Sequence, residues 1–167
     1  AKWLNGEMQY AAEWTGGHKT MLAKLHKLLN EADVVVHYNG TKFDIPHINR
    51  ELLEYGFTPP APYKQVDLYL LARRMFKFAY NRMDYVTEKL GIGTKHKTDF
   101  ELWKSVLAGR ADALASMESY NQNDVVLLER LYRKLLPWID RHPNHGAFRE
   151  ENCCPKCGST KFQKRGF

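Results

Sequence analysis

The sequence predicts an α/β domain, and three observations carry that prediction. A β-branched run from Asp33 to Tyr38 has turn-forming residues on both sides, the pattern of a buried strand. Before it, Met21, Leu22, Leu25, Leu28 and Leu29 recur at helical spacing. After it, a helical stretch and a proline segment lead to a second short strand, Gln65-Val66-Asp67. Strands mixed with helices in this order define an α/β or α+β domain.

Each element follows from its residues. Trp3, Leu4, Met8, Tyr10 and Trp14 alternate weakly, so residues 1–14 are expected to hold one or two strands. Gly16-Gly17 breaks the chain before the first helix, of about three turns. The continuous apolar character of residues 33–38 suits a strand covered on both faces. Ile45 to Tyr55 reads as a helix closed by Gly56 in the left-handed conformation. Thr58-Pro59-Pro60-Ala61-Pro62 is extended, because proline there excludes a helix. Leu68 to Phe76 and Met83 to Leu90 are helical, the second closed by Gly91. Phe100 to Leu107 is a short helix ending at Gly109. Asp112 to Leu136 is the longest, with Leu127, Leu128, Leu131, Leu135 and Leu136 on its core side, and Pro137 ends it.

Composition narrows the possible roles. The chain has 167 residues, 44% of them hydrophobic, enough for one domain with a core and a small appendage. The boundaries expected are a domain over 1–140 and a tail over 141–167. The net charge of +6 is compatible with a polyanionic partner. No apolar run approaches the ~20 residues that span a bilayer, and no secretory signal is visible. Cys153, Cys154 and Cys157 crowd into five positions and make a poor disulfide framework, which points to a reducing, cytoplasmic setting. The chain starts with Ala1 in what reads as mid-domain sequence and stops just after one CxxC, so it reads as cut at both ends.

Two short carboxylate motifs stand out. Asn39-Gly40-Thr41-Lys42-Phe43-Asp44 follows the first strand, where ligand-binding groups gather in α/β sheets. Tyr120-Asn121-Gln122-Asn123-Asp124 opens the amphipathic stretch of the longest helix, and its Tyr120 and Asp124 share one face. Alone, Asp44 reads first as a helix cap, and Tyr120 and Asp124 as ordinary helix residues. Their order, and the 80 positions between Asp44 and Asp124, favour a joint reading.

Together the motifs resemble the second and third motifs of DEDD-type 3′-5′ exonucleases, tyrosine subgroup, of the ribonuclease H-like superfamily. Residues 33–140 look like the later two-thirds of such a domain. The likeness is to phage and bacterial proteins related to the proofreading domain of family B DNA polymerases. Gln65-Val66-Asp67-Leu68, Leu90-Gly91-Ile92-Gly93 and Asp124-Val125-Val126-Leu127-Leu128 also fit. The resemblance implies a mixed sheet flanked by helices and metal-dependent 3′-5′ hydrolysis of DNA, with RNA the second choice. It implies that Asp44 and Asp124 are catalytic metal ligands for two Mg²⁺ or Mn²⁺ ions about 3.5–4 Å apart. Tyr120 would orient the attacking water. Asn39 would brace the turn or touch substrate, and Phe43 would pack or stack on a base. Lys95 and Lys97 flank His96 in a basic loop able to meet phosphate.

One departure is large. The family's first motif, Asp-x-Glu on a central strand, occurs on no strand before residue 33, and neither Gly6-Glu7-Met8 nor Ala12-Glu13-Trp14 supplies it. The isolated chain is therefore expected to be inactive or nearly so, with an upstream segment or second chain providing the missing strand. The rival readings are a nucleic-acid-binding subunit that has lost catalysis, and a related processing endonuclease.

The tail segment Cys154-Pro155-Lys156-Cys157-Gly158 resembles the first knuckle of a zinc ribbon. A structural Zn²⁺ takes four ligands. Cys154 and Cys157 are candidates for two of them, with Cys153, His142 and His145 the nearest others. The expectation is half a zinc knuckle.

Overall fold

The computed structural model describes residues 1–95, 98–148 and 151–161. In order, its helices are α1 (His18–Glu31), α2 (Asp44–Glu54), α3 (Leu68–Met75), α4 (Met83–Lys89), α5 (Phe100–Leu107) and α6 (Ala111–Leu135). Strand β1 (Val34–His37) lies between α1 and α2, and β2 (Lys64–Asp67) between α2 and α3. Short 3-10 turns occupy Glu13–Thr15, Leu136–Trp138 and His145–Phe148.

The two strands pair in parallel, with Val34 opposite Lys64 and His37 opposite Asp67. A parallel pair needs a crossover, and here α2 and the proline segment make it. Among the described residues the sheet has two strands, so β1 has a neighbour on one side only. Val34, Val35 and Val36 are half-buried in consequence, which corrects the expectation of a strand covered on both faces.

Helix ends follow local chemistry. Gly56, Gly91 and Gly109 sit just past the ends of α2, α4 and α5 with φ of 75°, 65° and 72°. Those angles favour glycine, the usual way to end a helix. Asp67 caps α3 and Asp99 caps α5 through side-chain oxygens.

The N-terminal segment is not strand. Lys2 and Met8 make a single antiparallel bridge around a tight turn in which the Gly6 N–H donates to the Trp3 carbonyl at 2.9 Å. Asn5 takes a positive φ of 64° there. The turn folds the weakly alternating residues back before a ladder can form. Lys2 reaches Glu129 of α6 at 2.5 Å, and Arg133 of α6 bonds Asn5.

The core lies where β2, α3, α4 and α6 meet: Val66, Leu68, Leu71, Val86, Leu131, Tyr132, Leu135 and Ile139 are buried together. Leu68, Val86 and Leu131 are fully buried, each contributing about 1.5–3 kcal/mol by transfer from water. Leu127 is also buried, whereas Leu128 and Leu136 are only partly so. This core fixes the end of the sheet against the C-terminal end of α6. The second carboxylate motif sits partway along that helix. Among the described residues no helix is long and apolar enough to cross a membrane.

Candidate active site

The first part of the site is built at the ends of the two strands. Asn39 has φ 65°, a left-handed conformation that asparagine tolerates better than most residues. Its N–H donates to Asp67 Oδ1 at 2.9 Å. The same oxygen accepts from the N–H groups of Tyr69 and Leu70 at 3.0 and 3.4 Å. One carboxylate thus caps α3 and clamps the turn after β1. Gly40 is required sterically, since a Cβ there would stand 2.7 Å from His37 Cγ. The Gly40 N–H donates to His37 Nδ1 at 3.1 Å, which puts the imidazole proton on Nε2, where it meets Gln65 Oε1 at 2.9 Å. Asp67 Oδ2, 3.6 Å from that unprotonated Nδ1, is left buried without a hydrogen-bond partner.

Phe43 and Asp44 lie a few residues on. Phe43 is the N-cap residue of α2, but no side chain caps the helix. The residue is 64% exposed, and its ring stands edge-on to His47 at 5.3 Å. Asp44 is exposed in the first turn of α2, where the helix dipole favours a negative charge.

The second part of the site is on α6. Lys95, in the loop between α4 and α5, places its Nζ 2.7 Å from Asp124 Oδ2. The same ammonium donates to the Tyr120 hydroxyl at 3.5 Å and lies 5.5 Å from the centre of its ring. Burial pulls the Lys95 pKa down, but the bond to Asp124, its charge and Tyr120 outweigh burial and the net shift is upward. Asp124 Oδ1 is buried and has no hydrogen-bond partner. Asn123 donates to the Thr94 carbonyl at 3.3 Å and so fastens the loop to the helix.

Between these parts runs a cleft of about 1120 Å³ whose walls include Tyr38, Asn39, Tyr69, Asp84, Lys95 and Tyr120. Asn39, Lys95 and Tyr120 thus face one space, with Asp124 bonded to Lys95 behind it. Phe43 and Asp44 are not among the described residues lining it. Lys97 and His96 lie outside the described residues. Tyr38 donates to the Asn81 carbonyl at 2.8 Å, and its phenol is pushed well up by burial, then by Tyr69, Asp67 and Asp84. Burial would raise the Asp84 carboxyl, yet the Tyr85 N–H, Arg82 and Lys95 hold it below its ordinary value.

Tyr38, Asp67 and Asp84 were not singled out from sequence. Asp67 carried a usable signal, since it stands where a strand runs straight into a helix. Asp84 carried none, because its place beside Lys95 depends on how the α4–α5 loop folds back.

The tail forms a local turn at its CxxC segment. The Cys154 N–H donates to the Ser159 carbonyl at 2.8 Å, and the Gly158 N–H to the Cys154 carbonyl at 2.9 Å. The Cys154 thiol is held below its ordinary pKa by the backbone N–H groups of Cys157 and Lys156, then by the Cys157 side chain. All three cysteines are free thiols, and Cys153 is buried. His142 is engaged at both ring nitrogens, with Tyr132 at 2.8 Å and the Pro143 carbonyl at 2.7 Å. Among the described residues no three His, Cys, Asp or Glu side chains gather to hold a metal ion.

The site fits a divalent cation in one respect. Asp124 offers a buried oxygen that nothing satisfies and a second oxygen that already holds a cationic group. Hard oxygen donors of this kind suit Mg²⁺ or Mn²⁺.

The strand ends, the turn after β1 and helix α6 thus border one cleft in a helix-rich α/β domain. The family model RNase_H_2, of the RNase_H superfamily, matches residues 5–136, and the chain belongs to that family. No curated protein matches the chain significantly. Members of the superfamily act on nucleic acids, generally with divalent metal ions.

Proposed function

We propose that this domain serves metal-dependent 3′-5′ exonucleolytic hydrolysis of DNA, with Asp44, Asp124 and Tyr120 as its catalytic residues. The observation that carries this reading is the buried, unsatisfied Oδ1 of Asp124, one helical turn from a tyrosine that faces the cleft. A divalent cation bound there supplies Lewis-acid activation of a phosphodiester. Asp124, and Asp44 from the first turn of α2, would be its ligands from this chain. The Tyr120 hydroxyl holds the water that attacks phosphorus while the bond to the 3′ oxygen breaks. The products are a nucleoside 5′-monophosphate and a strand one residue shorter. Asn39 and Phe43 position the terminal nucleotide, and Lys95 and Lys97 meet its phosphates.

The acids of an Asp-x-Glu strand complete the ligand set, and the side of β1 without a neighbour among the described residues is where such a strand would pair. The thiols of Cys154 and Cys157 make half of a Zn²⁺ site that takes two further ligands.

A second reading is a nucleic-acid-binding subunit without catalysis. The observation in its favour is that Lys95 neutralises Asp124. The natural protein that carries this domain, given 5′-labelled single-stranded DNA and Mg²⁺ or Mn²⁺, decides between them. The exonuclease reading expects products shortened stepwise from the 3′ end and lost in Asp124→Asn. Binding without any shortening would leave the second reading.

A further inference from the structure

Lys95 is anchored in a way that separates its backbone from its ammonium. The backbone of its loop is held on α6: the Asn123 amide grips the Thr94 carbonyl at 3.3 Å. Gly93 lies so close that a Cβ there would stand 2.9 Å from Leu127 Cδ2. The side chain is a flexible four-carbon stem that reaches from this fixed point to Asp124 Oδ2 at 2.7 Å. It can leave Asp124 by rotating its own bonds, with no helix unwound.

Asp124 is only half satisfied by this partner. Its Oδ1 is buried without a hydrogen bond, and a buried polar atom in that state is costly. An ammonium is a single point charge, whereas a divalent cation accepts several oxygen donors at once. The site therefore holds a cation weaker than the one its carboxylate can take.

We infer that Lys95 is an internal stand-in cation for Asp124, displaced when a divalent ion binds and then free to meet substrate phosphate in the cleft. The inference rests on Asp124 being a metal ligand. It makes Lys95 a positioning residue with two stations. At the first, the one observed, it holds Asp124 in place from the wall of the cleft; at the second its ammonium swings away from Asp124 into the space lined by Tyr38, Asn39 and Tyr120. Metal arrival and phosphate capture are then one event.

The test is Mn²⁺ binding by the 167-residue chain, read by electron paramagnetic resonance of free Mn²⁺ in four proteins. These are the parent, Lys95→Met, Arg82→Met and Asp124→Asn. Removing a competing ion pair of this exposure should tighten Mn²⁺ binding about fivefold in Lys95→Met. Arg82→Met, which deletes an equal charge from the same cleft, should change it little. Equal tightening in both would show a mere charge effect and overturn the inference, as would unchanged or weaker binding in Lys95→Met. If Asp124→Asn binds Mn²⁺ as well as the parent, Asp124 is no ligand and the reading beneath the inference fails instead. A second measurement needs no variant. A short acetic anhydride pulse, read by mass spectrometry, should label Lys95 several-fold more with saturating Mn²⁺ than without. Labelling that stays the same or falls contradicts release of the amine.

Discussion

Asp67 Oδ1 receives three N–H groups at once, from Asn39, Tyr69 and Leu70. Loss of an N-cap costs about 1 kcal/mol, and the extra bond to the Asn39 turn adds a similar amount. Asp67→Ala should therefore lower stability by about 2 kcal/mol, read by urea unfolding, while Asp67→Asn, which keeps an accepting oxygen, should lose less. Gly40→Ala acts on the same corner from the other side, because its Cβ meets the buried His37 ring. Overpacking of this kind costs about 1–3 kcal/mol, and the His37 Nε2–H signal in an NMR spectrum should shift as the bond to Gln65 is lost. At the other motif, Tyr120→Phe keeps the ring and removes the hydroxyl. In the natural protein it should slow single-turnover hydrolysis by about 10–10³-fold with nucleotide affinity nearly kept. A parental rate in Tyr120→Phe beside an inactive Asp124→Asn would reduce Tyr120 to packing.

At the scale of elements, what was local was legible. The helix ends at Gly56, Gly91 and Gly109 and the strand positions around Val35 and Val66 could be read because one or two residues set them. The two motifs stand out in the sequence for the same reason, and their catalytic roles are proposals. The failures share a different cause. Residues 1–14 were misread as strand because their fate depends on contacts with α6, which fold Lys2 and Asn5 onto Glu129 and Arg133. The partner of Lys95 was not read either: the structure pairs it with Asp124, 29 residues away along the chain (95 to 124). No spacing rule reports such a pair. The helix that carries the second motif owes its position to Leu131, fully buried between β2, α3 and α4. Leu131→Ala should cost about 2–5 kcal/mol, seen as a lower unfolding midpoint in urea.

Across the whole molecule, one cluster of charges joins the N-terminal segment to the rest. Glu129 is bonded by Lys2 at 2.5 Å and by Arg133 at 2.7 Å. Lys2 holds its carboxyl below the ordinary range, burial opposes that, and Arg133 adds to it. Its folded pKa lies under the unfolded one, so the contribution is fully present above about pH 4.3 and is lost as pH falls through the folded value. The amide signals of Trp3 and Gly6 should move together in that range, and Glu129→Gln should show the released positions already at neutral pH. Positions that stay fixed while the Glu129 carboxyl itself titrates, followed by its own NMR signal, would place the anchor elsewhere.

The central claim is that Asp44, exposed at the start of α2, and Asp124, on α6, serve one metal centre. Anomalous diffraction from crystals of the chain soaked in Mn²⁺ tests it most directly. The account predicts a Mn²⁺ peak within bonding distance of Asp124, with the Asp44 carboxylate no more than about 8 Å from that of Asp124, a span that two ions about 4 Å apart can bridge. A peak remote from Asp124, or the two carboxylates on opposite faces of the domain, would contradict it.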